Sequence, residues 1–113
     1  MAIKLKRAYD PSEASDGFRI LVDRIWPRGI KKDKLHLDLW LKEIAPSTEL
    51  RKWFNHEAEK WDSFIKKYEL EIKDSEALKQ LKKLIKVHKM VTLIYSAKNE
   101  ENNQAVAIKS FLK

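Results

Sequence analysis

Two rhythms of apolar and polar residues run through the chain. Residues 3–9, Ile-Lys-Leu-Lys-Arg-Ala-Tyr, alternate apolar and basic side chains, the period of a strand with one buried face. Residues 18–22, Phe-Arg-Ile-Leu-Val, are an apolar, β-branched run of strand length. With the next two residues they form a second strand over 18–24, the better candidate of the first two for the sheet's centre. Leu35, Leu37, Leu39 and Leu41 alternate with His36, Asp38, Trp40 and Lys42, which places a third strand over residues 38–44. Residues 90–96, Met-Val-Thr-Leu-Ile-Tyr-Ser, are almost continuously apolar and predict an interior fourth strand.

Between the last two strands the period changes to that of a helix. Ser47 or Thr48 is placed to cap a helix running through Phe54, with Glu49 near its positive end. Asn55-His56 breaks it, and Asn55 is able to cap the next helix, over 57–72. There Trp61, Phe64, Ile65, Tyr68 and Ile72 share one face. Asp74 or Ser75 starts a further helix whose buried side reads Leu78, Leu81, Leu84, Ile85 and His88. Residues 100–104 open a last one that packs Ala105, Ile108 and Leu112 on the sheet.

Residues 10–17, ending in Asp16-Gly17, are dense in turn chemistry. A parallel crossover takes a dozen residues or more, so this link favours a first strand that is antiparallel or loosely associated. The expected fold is a single α/β domain over residues 1–113, with a small, mostly parallel sheet of three to four strands flanked by helices.

The chain has 113 residues, 24 Lys and Arg against 17 Asp and Glu, and a net charge of +7, which favours anionic partners. Its zero cysteines remove disulfides, thiolate metal sites and a cysteine nucleophile together. No run resembles a signal peptide or a membrane span, so the expectation is a cytoplasmic protein without a membrane partner. Lysines dominate the helices as a solvated face. The five arginines, at 7, 19, 24, 28 and 51, crowd the first half.

Asp23-Arg24-Ile25-Trp26-Pro27-Arg28-Gly29 is the feature this charge distribution singles out. Pro27 fixes its own φ and pushes Trp26 toward extended geometry, so the strand is expected to end about there, and Gly29 permits a sharp exit. Either arginine alone would be solvated or paired nearby; the cluster points to a ligand. If the strands are parallel, this corner shares one edge with Pro46-Ser47 and Ser96-Ala97-Lys98, and with the starts of two helices. Arg24, Trp26, Arg28, Ser47, Ser96 and Lys98 are therefore the predicted ligand-binding residues. Guanidinium forks, hydroxyls and helix N-termini together suit a phosphate, sulfate or carboxylate. Gly17 and Gly29 are the two glycines, so neither glycine-rich nucleotide loop is present, and the cofactor is left unknown by the sequence.

Catalytic chemistry has thin support. Of His36, His56 and His88, the first alternates with leucines on a strand and faces solvent, and the last suits a helix end. His56 is the candidate general base, against a local capping role. Ser96, His56 and Asp23 could form a triad, though Asp23 also suits an anchor for the corner. No metal-ligand spacing occurs.

Several segments resemble the YeaO-like branch of the domain of unknown function 488 family. They are Lys6-Arg7-Ala8-Tyr9, the run from Asp16-Gly17 to Pro27-Arg28-Gly29, Ala45-Pro46-Ser47, Leu50-Arg51-Lys52-Trp53-Phe54 with His56, Trp61, and Val91 through Lys98. The resemblance implies a small α/β domain and names no reaction. Members of the wider family tend to carry cysteines near the end of the last strand. This chain has Tyr95-Ser96-Ala97-Lys98 there, so thiol chemistry does not carry over. The leading expectation is a domain that binds a small anion such as a nucleotide or phosphorylated metabolite. The alternatives are nucleic-acid binding through Arg28, Lys31, Lys32 and Lys34 with Trp26 stacking, or a protein-interaction module using Trp26 and Trp40.

Overall fold

The computed structural model describes residues 2–112. Four strands, β1 (Ala2–Arg7), β2 (Phe18–Leu21), β3 (Leu39–Trp40) and β4 (Met90–Tyr95), form one parallel sheet in the order β1-β4-β2-β3. β4, the most apolar segment, lies inside the sheet with partners on both sides, as its composition demands.

β1 corrects the expectation of an antiparallel or loose strand. It pairs with β4 in parallel from Ala2 opposite Met90 to Arg7 opposite Tyr95. Residues 8–17 make this parallel crossover past β4 without an α-helix. Such a link reaches roughly 33 Å when extended, more than the roughly 20 Å of a six-residue strand, and so returns across one face. A 3-10 turn at Ala14–Asp16 completes that return.

Period-two alternation sorts the strands' side chains between two cores. Ile20, Val22, Val91, Leu93 and Tyr95 face the larger one, packed under Tyr68, Leu81 and Ile108 from the helices. Leu21 and Ile94 face the smaller one, closed by Leu35 and by half-buried Trp26, Ile30, Leu37 and Trp40 from connecting segments. Farther along this second face, Asp16 is fully buried and accepts hydrogen bonds from Lys4 Nζ at 2.8 Å, Lys6 Nζ at 3.1 Å and Arg19 Nη1 at 2.5 Å. Burial alone would raise this carboxyl. The hydrogen bonds from Lys4, the Glu13 backbone, Lys6 and Arg19 outweigh it and hold Asp16 well below the usual carboxylate range.

The third strand is shorter than expected. Arg19 Nη2 and Nε donate to the carbonyls of Leu35 and His36, each at 2.9 Å, and His36 adopts φ 54°. This pins the end of the short helix α1 (Lys32–Leu35), so extended pairing begins only near Asp38, whose N–H donates to the Arg19 carbonyl at 2.9 Å. A 3-10 turn at Lys42–Ile44 then ends it. The second strand also stops early, at Leu21 instead of continuing to Arg24, because Asp23 and Arg24 turn toward other elements.

Helix starts follow the capping residues. Ser47 accepts from the Leu50 N–H at the start of α2 (Thr48–Phe54), Ser75 from Leu78 at α4 (Glu76–Val87), and Asn103 from Val106 at α5 (Gln104–Phe111). Asn55, at φ 45°, ends α2 and does not cap its successor. The helix expected from residue 57 opens as a 3-10 turn, and α3 (Trp61–Ile72) follows. Trp61 lies against Phe54 and Phe64, and the His88 ring stacks on Phe18 at 4.1 Å. Among the described residues, no helix is long and apolar enough to cross a membrane.

Candidate functional site

A cleft of about 540 Å³ opens where β2 and β4 end, bordered by the segment before α2 and the first turn of α5. This is the side of an open α/β sheet where ligands usually sit. Asp23 and Arg24, the residues just past β2, turn in opposite directions and build its floor.

Arg24 reaches toward α2. Its Nη2 donates to the Ala45 carbonyl at 3.0 Å and more loosely to that of Pro46 at 3.5 Å. These contacts anchor one end of the guanidinium. Nε is buried and, among the described residues, has no hydrogen-bond partner. Leaving such a charged donor unsatisfied is costly, and its burial keeps it out of contact with the cleft's solvent. Arg28, beyond the proline, is exposed at the cleft's rim. Its carbonyl accepts from Tyr9 Oη at 2.9 Å, and Gly29 takes φ 83° to turn the chain away.

Asp23 reaches toward β4 and α5. Only 7% exposed, it accepts from the Ser96 N–H at 3.0 Å and from Ser96 Oγ at 2.5 Å, while Gln104 Nε2 donates to its other oxygen. Burial raises this carboxyl. The Ser96 and Gln104 hydrogen bonds and the Arg51 charge pull it back without cancelling the rise. The single Ser96 hydroxyl proton goes to the carboxylate, so the His56 imidazole does not stand between them as a triad requires. His56 lines the same cleft, exposed, in a left-handed conformation at φ 57°. The three polar groups are brought together; the hydrogen-bond order is that of an anchored corner.

The cleft's charge is one-sided. Arg24, Arg28, Arg51 and Lys52 line it with His56, against Asp23 alone, whose oxygens are both engaged. Arg51 and Lys52 lie about one turn past the α2 cap, which carries them to this edge. Tyr9 arrives because β1, being parallel, ends at the same edge. Neither Tyr9, Arg51, Lys52 nor Gln104 stands out in the sequence as a site residue; the cap at Ser47 was the one signal for the α2 pair.

Two expected ligand groups fall outside. Ser47 is a cap tied to Glu71, its N–H donating at 3.0 Å and its Oγ at 2.5 Å, and it does not line the cleft. Lys98 is exposed and does not line it either. Trp26 does, but half-buried, with Nε1 donating to the Ile30 carbonyl at 2.6 Å and its ring edge-on to Trp40 at 5.4 Å. Trp40 is half-buried too and donates to the Asp23 carbonyl at 2.7 Å. These rings brace the corner, which leaves little of the surface that a tryptophan-based protein contact would need. Among the described residues, no group of three or more His, Asp or Glu side chains is placed to hold a metal ion.

Fold and site together define a small parallel α/β protein with a basic cleft at the carboxyl edge of its sheet. The chain belongs to the DUF488-N3i family, described as the inactive DUF488-N3 subclade, which it matches over residues 2–113. It is 50% identical over 115 residues to the uncharacterized protein YeaO of Escherichia coli (strain K12), covering 100% of this chain and 98% of that one. It is 46% identical over 82 residues to the uncharacterized proteins Rv3073c of Mycobacterium tuberculosis (strain ATCC 25618 / H37Rv) and Mb3100c of Mycobacterium bovis (strain ATCC BAA-935 / AF2122/97), covering 73% of this chain and 70% of theirs. No solved structure matches it significantly.

Proposed function

We propose that the chain is a single cytoplasmic domain that binds a small anionic ligand, a nucleotide or phosphorylated metabolite, in the cleft beyond the strand ends. The observation that carries this reading is Arg24, which lines the cleft with its guanidinium anchored by Nη2 on the Ala45 carbonyl, in a lining whose one carboxylate, Asp23, has both oxygens engaged. Arg28, Arg51 and Lys52 supply further positive charge around it. A volume of about 540 Å³ suits a ligand of nucleotide size. In this reading Asp23, Ser96 and Gln104 hold the floor in shape, and Arg24 and Arg28 hold the anion. A binding role without chemistry agrees with the word "inactive" in the family's description and with a Ser96 proton committed to a carboxylate.

Calorimetry with AMP and with inorganic phosphate tests this. Arg24→Gln removes a charged hydrogen bond and is expected to weaken AMP binding by about tenfold or more, with the thermal midpoint of the free protein measured alongside. Equal AMP affinity in a folded Arg24→Gln variant, or no AMP binding by the parent chain, overturns it.

A further inference from the structure

A second cleft, of about 590 Å³, lies between residues 8–12 and residues 29–36, and Tyr9 lines both it and the first. We propose that the two form one track for a short single-stranded oligonucleotide, with a base on the Tyr9 ring and successive phosphates on either side. The proposal rests on the anion-binding reading of the first cleft and extends it from a single nucleotide to a strand.

Tyr9 is built as a platform. Its hydroxyl donates to the Arg28 carbonyl at 2.9 Å, and the Arg7 guanidinium lies 5.0 Å from its ring centroid. Arg7 is itself fixed, Nε donating to the Ala97 carbonyl at 3.0 Å and Nη2 to that of Ser96 at 3.2 Å. The ring is thus held by its edge and by a cation, yet it stays 47% exposed. An immobilised ring standing in solvent has no packing role to explain it, and aromatic platforms of this kind stack bases of any sequence. Trp26, the ring the sequence favours for stacking, is half-buried and its N–H is engaged.

Cations flank the platform on both sides. The first cleft contributes Arg24 and Arg28, and the second contributes exposed Lys31 and Lys34. Arg28 and Lys31 are three residues apart, so their backbones lie within about 11 Å. Arg19 reaches the second cleft but is already paired with Asp16. Asp10, the one carboxylate there, accepts from the Arg7 N–H at 3.2 Å. Cations alternating with an exposed ring match the phosphate-base alternation of a single strand better than the uniform charge of an acidic peptide.

The test is calorimetry with AMP, the 5′-phosphorylated diadenylate, the tetraadenylate and hexaglutamate. Diadenylate is expected to bind about fivefold or more tightly than AMP, with a steeper salt dependence. Tyr9→Leu should abolish the gain, Tyr9→Phe should keep it, and Lys31→Ser/Lys34→Ser should shrink the ratio of tetraadenylate to AMP affinity. If AMP binds but neither longer strand binds tighter, the track is wrong and the single cleft stands. If hexaglutamate binds as well as tetraadenylate, the surface is a general polyanion site and the proposal fails. If nothing binds, both readings fall.

Discussion

Asp16 shows how much one side chain holds in place. Lys6 and Arg19 are buried beside it, so Asp16→Asn would leave Arg19 without its carboxylate and Lys6 with exposed Glu13 alone. Breaking such a cluster from one side costs roughly 3–5 kcal/mol. Lys4→Ala, which removes a part-exposed partner, should cost under about 1 kcal/mol. The pH dependence has a definite sign. Asp16's carboxyl sits below its unfolded value, so its stabilisation is complete above the ordinary carboxylate range of about 4 and disappears as pH falls toward the folded value. Lys6 behaves oppositely. The Glu13 hydrogen bond leads the causes that raise it above 10.5, so its share is kept until pH rises through that raised value. Urea unfolding between about pH 2 and about pH 8 should show an acid limb in the parent chain that flattens in Asp16→Asn. An unchanged limb would remove Asp16 from its cause. The sequence marks Asp16-Gly17 as a turn and nothing more, because the cations that make the carboxylate central lie on two different strands. Arg24 and Arg28, which line the cleft, stand out in the sequence because they are crowded into a few residues around a proline.

At the scale of elements, three helix caps announced by the chain are kept by the structure. Ser47, Ser75 and Asn103 cap the helices they precede, since a cap depends on residues no more than a turn away. Ser75→Ala should therefore cost about 1 kcal/mol, read from urea midpoints. Ser47→Ala should cost more, because Ser47 also holds Glu71. Equal losses would show that the Glu71 link contributes nothing. The alternation from Leu35 to Leu41 misleads for a physical reason. Leu35 is buried in the smaller core from the end of a one-turn helix, and Leu37 packs half-buried against it from just past left-handed His36. Period two records which side chains point inward, and the backbone that points them was set by Arg19, sixteen residues before Leu35 in sequence.

At the scale of the whole molecule, the missing piece was the direction of β1. With three parallel strands the shared edge already gathers the corner, the start of α2 and the end of β4. A parallel β1 brings Arg7 and Tyr9 to the same edge, and the second cleft with them. A short link cannot disclose this, because its meaning depends on which strand lies between the two it joins. The arrangement makes a demand at Gly17, where the returning link enters β2 beside the first residue of β4. A Cβ there would lie 2.3 Å from the Met90 carbonyl oxygen and 2.8 Å from the Met90 Cβ, at φ 65°. Gly29 has a similar φ of 83° but nothing within 4 Å of such an atom. Gly29→Ala should thus cost only the left-handed conformation, about 1–2 kcal/mol. Gly17→Ala meets a harsher backbone cost, since φ 65° with ψ −132° lies outside the left-handed helical region, and it must also push β2 away from β4, so its urea midpoint should fall well below that of Gly29→Ala. Equal midpoints would mean that the link does not pass this close to β4. The packing of β2 on β4 that gives the cleft its floor would then be looser than the Asp23 and Ser96 contacts require.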